Sequence, residues 1–447
     1  MNKNNSKKMD YEGLDQELFK LDGKPSFIKA LPLSLQHIFA MIVGTVTLPR
    51  MVAEICGLSQ TETTLLVQAA LIVSGIATLL QLYPIGKTGS KLPIIFGVGF
   101  TYLPTLSVIG TKYGIDGILG AQLVGGIFTI FIGLLGKRIL KFFPPLVTGV
   151  VVTTIGLSLY PIAVNYMAGG LGSPNYGDLS NWILAIVTLV TVVVCNNFLK
   201  GYIKSASMIV GVTVGYILAL IMGKVDFSSL SSASLLSVPK ISDFGMTFHW
   251  PAIISMLVLC LVNALQSIGD LSGTTMGGMG RKATDTELSQ GIIGSGIVTL
   301  LGSFFGGLPP SSYSQNVGLV SLNKVISRFV LALAAVFMLL AGFVPKFGAL
   351  MTTIPTAVLG GATISIFGMI TMTGLQLILH DELTPRNISI VGLSLALGMG
   401  ITSVPDSLKA FPDIIRMVFG ESPIVIAALV AFTLNLVLPK NEKKEKI

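Results

Sequence analysis

Along most of this chain, apolar residues run in blocks long enough to cross a bilayer, and polar residues collect in the short intervals between them. A helix rising 1.5 Å per residue needs about 20 such residues to span the hydrocarbon core. On that criterion fourteen spans are predicted, near 32–50, 63–83, 92–109, 117–136, 143–162, 181–199, 206–223, 251–271, 286–305, 309–323, 328–344, 349–371, 388–404 and 422–439. Two of them are interrupted. Gly97-Val98-Gly99-Phe100-Thr101-Tyr102 breaks the third. Gly306-Gly307-Leu308-Pro309-Pro310-Ser311-Ser312-Tyr313-Ser314-Gln315-Asn316-Val317-Gly318, with two prolines and a run of hydroxyls and amides, breaks the tenth. Irregular backbone at membrane depth persists only where protein buries it or where it lines a cavity. In transporters such segments hold the substrate near the midplane. Gln315 and Asn316 are therefore the first candidates for function.

The pattern also repeats. Phe143-Pro144-Pro145-Leu146-Val147-Thr148-Gly149 opens one span, and Ile354-Pro355-Thr356-Ala357-Val358-Leu359-Gly360 lies within another, Pro144 to Pro355 and Gly149 to Gly360 being 211 positions apart. The same shift carries the break at Gly97–Tyr102 onto Leu308–Tyr313. Seven spans per half is odd, so the second half is inverted relative to the first. The resulting plan is a cytoplasmic tail (1–29), a first seven-span repeat (30–224), an extracellular Ser- and Pro-rich linker (225–249), a second repeat (250–439) and a cytoplasmic tail (440–447). Paired breaks in inverted repeats are the strongest sequence pointer to a midplane binding site.

Composition narrows the class. Only 11% of the residues are charged and 52% are apolar, with a mean hydropathy of +0.81. Soluble domains carry about 25% charged residues, so this is an all-α polytopic membrane protein with no sizeable soluble domain. The net charge of +8 bears on topology rather than on nucleic acid. With the N-terminus inside, 22 of the 29 Lys and Arg fall on the inner side and 7 on the outer, as the positive-inside rule expects. Both termini are thus expected on the cytoplasmic side of the cytoplasmic (plasma) membrane. The first 29 residues are polar and mixed in charge, unlike a signal peptide. Cys56, Cys195 and Cys260 have neither metal nor disulfide spacing.

Polar groups within spans are costly and invite individual reading. Gln266 and Asp270 lie four apart on one helical face, with Asn263 on nearly the same side. They read either as a polar face at the end of the eighth span or as a cavity wall. His37, early in the first span, reads equally as a packing residue or as a site-lining donor. Lys324 and Arg328 follow the broken tenth span and are expected to anchor its end. A carboxamide offers one acceptor and two donor hydrogens, so Gln315 can pair with the planar lactam edge of a nucleobase. Its alternative is to bond with Asn316 and satisfy broken backbone. Phe100, at the other break, supplies a stacking face.

These residues resemble the nucleobase–ascorbate transporter family. Its signature of Gln, Glu or Pro, then Asn-x-Gly, is similar to Gln315-Asn316-Val317-Gly318, although Asn323 stands where Thr is usual. Gln266-Ser267-Ile268-Gly269-Asp270, Gln36-His37, Gly97-Val98-Gly99-Phe100 and Pro385-Arg386-Asn387 look like further family motifs, and the likeness covers essentially the whole chain. The resemblance implies core and gate domains, with short antiparallel strands in spans three and ten. It implies substrate contacts from Phe100, Gln266 and Gln315, supported by Asn316, His37 and Gly318. It also implies a homodimer and an elevator-like symporter importing a nucleobase with H+ or Na+, and no other cofactor.

Two departures matter. Gln266 and Ser295 stand where the family usually has Glu and Asp, the natural proton carriers. Either Asp270, the coupling candidate, takes over, or the coupling ion is different, or coupling is weak. Gln at the first signature position favours a purine such as xanthine or urate over uracil. A uracil permease, or an anion carrier of the sulfate/bicarbonate type, are the alternatives. The latter wants a cation near the half-helix N-termini, where this chain has none. No nucleophile–base pair, metal cluster or Gly-rich phosphate loop supports an enzyme or an ATP-driven pump, and the short tails leave no room for a sensor's signalling domain.

Overall fold

The computed structural model describes residues 15–136, 144–200, 206–227, 244–420 and 422–439, together with 203, 204, 230 and 234. The first fourteen residues, the C-terminal tail, most of the linker and basic positions such as Lys137, Arg138 and Lys141 lie outside the described residues.

The first half runs α1 (Phe27–Ile55), α2 (Gln60–Leu82), β1 (Phe96–Val98), α3 (Leu103–Leu135), α4 (Pro145–Met167), α5 (Leu179–Phe198) and α6 (Ser207–Ile221). The second runs α7 (Trp250–Thr274), α8 (Asp285–Phe304), β2 (Pro310–Ser312), α9 (Ser314–Asn323), α10 (Arg328–Gly342), α11 (Pro345–Thr352), α12 (Thr356–Ile378), α13 (Pro385–Ser403), α14 (Asp413–Gly420) and α15 (Pro423–Val437). Among the described residues seven helices are long and apolar enough to cross a bilayer, and eight if the bent α10–α11 pair is counted. The expected third and fourth spans are one helical run broken at Gly114, whose φ of 69° is not helical. The remaining expected spans are the shorter or more polar helices α6, α8, α9, α13 and α15.

Two boundaries differ from expectation. Pro355 does not lie inside a span. It caps α12, as Pro144 caps α4, because a proline within a helix removes a hydrogen bond and clashes with the preceding turn. The segment 345–352 is instead the separate α11, bent by 86° from α10.

The repeat is visible in the packing. α4 and α12 lie against each other so closely that a Cβ on Gly149 would sit 2.8 Å from the Ile378 amide nitrogen, and one on Gly360 would sit 2.3 Å from that of Met167. The second contact is the first moved by 211 positions with the two helices exchanged, which is what an inverted pair requires. The strands follow a different shift. Phe96 pairs with Ser312, Gly97 with Ser311 and Val98 with Pro310, antiparallel, so the equivalent breaks are 214 positions apart rather than 211. The physical reason is that the connection from strand to capped helix is three residues shorter in the second half, where α9, α10 and α11 replace the long run of α3.

Helices sort into two groups. α1, α2, α3, α7, α8, α9 and α10 pack around the strand pair, with α2 against α10 and α3 against α8. α4, α5, α6, α12, α13 and α15 form the second group around the α4–α12 contact. These are the core and gate of an inverted-repeat transporter fold.

The N-terminal segment straps the core at one face. Leu18 is buried, and its carbonyl accepts from the Ile326 and Ser327 amides at 3.1 Å. Asp22 pairs with Arg328, which also donates 2.6 Å to the Leu82 carbonyl and lies 5.0 Å over the Tyr83 ring. Lys324 ends α9 in a left-handed conformation and donates to the Gly277 carbonyl. The expected anchoring role of both basic residues is what the structure shows.

Candidate substrate site between the two helix groups

Hydrogen bonds to the backbone of the broken segments help to hold them, as a water-poor environment demands. Beyond the strand ladder, Thr78 Oγ1 donates 2.9 Å to the Phe96 carbonyl and accepts 3.1 Å from its amide. Tyr313 N donates to the Ile95 carbonyl at 3.0 Å, and Asn263 Nδ2 reaches the Pro310 carbonyl at 3.4 Å. Glycine is needed at two points. A Cβ on Gly97 would lie 2.5 Å from the Tyr313 ring, and one on Gly99 would lie 2.4 Å from the Ser311 Cβ. Tyr313 is then free to cross the ladder and donate its hydroxyl 3.0 Å to the Val98 carbonyl.

β2 leads directly into α9, ten residues long and therefore about 15 Å, or half a membrane. β1 leads through a turn at Phe100–Tyr102 into α3. Both helices thus begin at the strand pair, and between them and the gate lies a cavity of about 440 Å³. Its core wall holds Phe100, Thr101, Gln266, Asp270, Ser312, Ser314 and Gln315. Its gate wall holds Thr148, Val152, Ile366, Met369, Ile370 and Thr373, from the start of α4 and the latter half of α12. Among the described residues no Lys, Arg or His lines it.

Each candidate residue has a definite place. Phe100 is buried and meets Phe367 of the gate edge-on, ring centroids 5.1 Å apart. Gln266 accepts a 2.6 Å hydrogen bond from Thr101 Oγ1. Asp270 accepts from Ser312 Oγ at 2.5 Å and from Ser314 Oγ at 2.7 Å, clamping the second break on either side of Tyr313. Gln315 faces the cavity and does not bond with Asn316. Asn316 is buried and reaches His37 instead, its Nδ2 lying 3.0 Å from the ring Nδ1 and donating 3.1 Å to the His37 carbonyl.

The structure therefore separates the expected set. Phe100, Gln266, Gln315 and Asp270 converge on the cavity. Asn316 and His37 are absent from its lining and fasten α9 to α1 behind it, and Asn263 supports β2. Gly318 also lies off the lining, on a part of α9 where an added Cβ meets nothing within 4 Å. Thr101, Ser312 and Ser314 were missed as individual site residues. Their only sequence signal is that hydroxyls cluster at both breaks.

A family model described as "Permease family", that of the xanthine/uracil permeases, matches residues 28–407. The chain belongs to the nucleobase–ascorbate transporter family. The permease is 37% identical over 429 residues to the xanthine permease of Bacillus subtilis (strain 168), covering 94% of this chain and 96% of that one. It is also 37% identical over 413 residues to the uric acid permease PucK of the same organism, covering 91% and 95%. To the uric acid transporter UacT of Escherichia coli (strain K12) it is 33% identical over 431 residues, covering 95% and 89%. Among solved structures, the transmembrane domain of the cyanobacterial bicarbonate transporter BicA superposes with a TM-score of 0.58, covering 93% of this chain and 99% of that one at 16% identity. SLC26A9 superposes at 0.59, covering 91% and 64% at 13% identity. That likeness is one of fold alone. The permease is a membrane transport protein of the nucleobase class and not an enzyme.

Proposed function

We propose that this permease imports an oxidised purine, xanthine or urate, by cation symport. The observation that carries the proposal is that an uncommitted carboxamide, Gln315, and the Phe100 ring share the core wall of a cavity lined, among the described residues, by no cationic side chain. A planar, uncharged or weakly anionic heteroaromatic ring suits that wall. Phe100 supplies a ring face, while Gln315 offers one acceptor and two donors to a lactam edge. The names borne by the relatives point to the same substrates.

In this reading Asp270 carries the coupling to H+ or Na+, since it is the one carboxylate among the described lining residues. The core slides against the gate as an elevator, within a homodimer joined through gates, and both termini face the cytoplasm. The gate wall of the cavity is drawn from the ends of α4 and α12 nearest the N-terminal strap. The cavity is thus cytoplasm-facing in this conformation.

The test is uptake of labelled xanthine, urate, guanine and uracil into proteoliposomes under separately imposed proton and sodium gradients. Accumulation of xanthine or urate under one gradient supports the proposal. Preference for uracil, or transport of bicarbonate or sulfate and no base, rejects it.

A further inference from the structure

Two carboxamides face the cavity, and they are not equivalent. Gln315 has no hydrogen bond to another side chain among the described residues. Gln266 is held on one side. Its Oε1 accepts from the Thr101 hydroxyl at 2.6 Å. One turn further along α7 stands Asp270, whose carboxylate oxygens accept from Ser312 and Ser314. The Thr101 hydrogen bond gives the amide one orientation, with its oxygen toward Thr101. The NH2 is then what Gln266 has left to offer the cavity.

We infer that Thr101 is a specificity-determining residue: by engaging the Gln266 oxygen it turns the amide NH2 toward the cavity, so the site favours purines that present an acceptor on the edge facing α7. A ring carbonyl, or a ring nitrogen that has lost its proton, satisfies such a donor. An exocyclic amino group does not, because two N–H groups then face each other. The chemical class is the oxo-purine, neutral or as its monoanion, against the amino-purine. A neutral amide at this position also places no charge beside a substrate anion.

Thr101 is well suited to the task. It is 3% exposed and lies on the short turn between β1 and α3, whose position the strand ladder fixes. It does not need to touch the purine. Its effect runs through Gln266, so it is a positioning residue. A buried polar mismatch costs about 1–3 kcal/mol, which corresponds to a discrimination of roughly five- to 150-fold.

The inference rests on the nucleobase reading above, and its test separates the two. Inhibition of labelled xanthine uptake by urate and by guanine is measured in proteoliposomes for wild type, Thr101→Val, Thr101→Ser and Gln266→Glu. Xanthine and guanine share the carbonyl at position 6 and differ around position 2, where xanthine carries an oxo group beside a protonated N3 and guanine an amino group beside a bare N3. Wild type is expected to favour the oxo-purine by at least ten-fold. Thr101→Val, whose methyl cannot hold the amide oxygen, should narrow that ratio by about ten-fold because Gln266 can then turn over. Thr101→Ser should restore the wild-type ratio, which a merely structural role for the methyl group would not explain. Gln266→Glu should weaken urate more than xanthine, since urate is the more fully ionised of the two. An unchanged ratio in Thr101→Val, with protein that remains monodisperse, overturns the role of Thr101 while leaving nucleobase transport standing. A wild type that takes up none of these bases overturns the functional reading itself.

Discussion

The phenol of Tyr166, at the end of α4, donates a 2.6 Å hydrogen bond to the carboxylate of Glu54, at the end of α1. It ties gate to core at the face opposite the N-terminal strap. Beside it Arg50 of α1 donates 2.5 Å to the Ile354 carbonyl, just before α12. At this face the two groups are laced together, whereas at the other they are parted by the cavity. Removing the phenol oxygen should loosen the lacing by about 1.5–3 kcal/mol, the worth of a hydrogen bond to a charged acceptor. Tyr166→Phe is expected to shift the permease toward the opposite-facing state by roughly ten- to 150-fold. Labelling of a cysteine introduced at Thr356 should accelerate accordingly. Unaltered labelling would mean that the lacing does not hold this state.

Two substitutions probe the cavity's ligand contacts. Phe100→Ala and Gln315→Ala should each weaken purine binding by ten-fold or more, since one removes the ring face and the other the free carboxamide. Gln315→Ala should leave thermal stability within about 0.5 kcal/mol, because no side-chain partner in the fold depends on it. Phe100→Ala also loses the contact with Phe367 and should cost stability of about 3 kcal/mol. Binding measured by scintillation proximity, beside melting in detergent, checks both.

Asp270→Asn keeps the volume of the clamp but removes its charge. Ser312 and Ser314 lose a charged acceptor, each hydrogen bond to it being worth about 1.5–3 kcal/mol. The expected result is loss of gradient-driven accumulation, with counterflow exchange of purine retained in part. Accumulation at the wild-type level would reject a coupling role for this carboxylate.

Glycines should divide sharply. Gly360→Ala puts a methyl 2.3 Å from the Met167 amide nitrogen, and backbone cannot yield there. Loss of folded protein is expected. Gly318→Ala meets nothing within 4 Å and lies in the interior of α9. It should be tolerated, or stabilise by up to about 1 kcal/mol through helix propensity. Expression and melting of the two variants test this directly.

Much of this was legible along the chain. Hydropathy located the spans because a bilayer admits few alternatives to an apolar helix, and the prolines and glycines at 97–102 and 306–318 marked the breaks because helix cannot pass through them. The pairing of residues across those breaks was not legible. Gln315 and Asn316 are neighbours in sequence with the same functional group, yet helical rotation aims one at the cavity and the other at His37. Thr101 carries no distinctive pattern at all, since its partner Gln266 is 165 positions away and is brought near only by the strand ladder. The shift of three residues between the two repeats was hidden for a related reason. A span boundary can slide along an apolar run without altering its composition.

The division of labour across the cavity has a genetic consequence. Both amides and the carboxylate come from one helix group, and most of the branched apolar wall comes from the other. Changes that alter which base is accepted should therefore accumulate in the turn before α3, in α7 and in α9. Changes that alter only turnover should collect in α4 and α12. A lineage could then acquire a new diet without retuning its machinery, or change its pace without changing its menu.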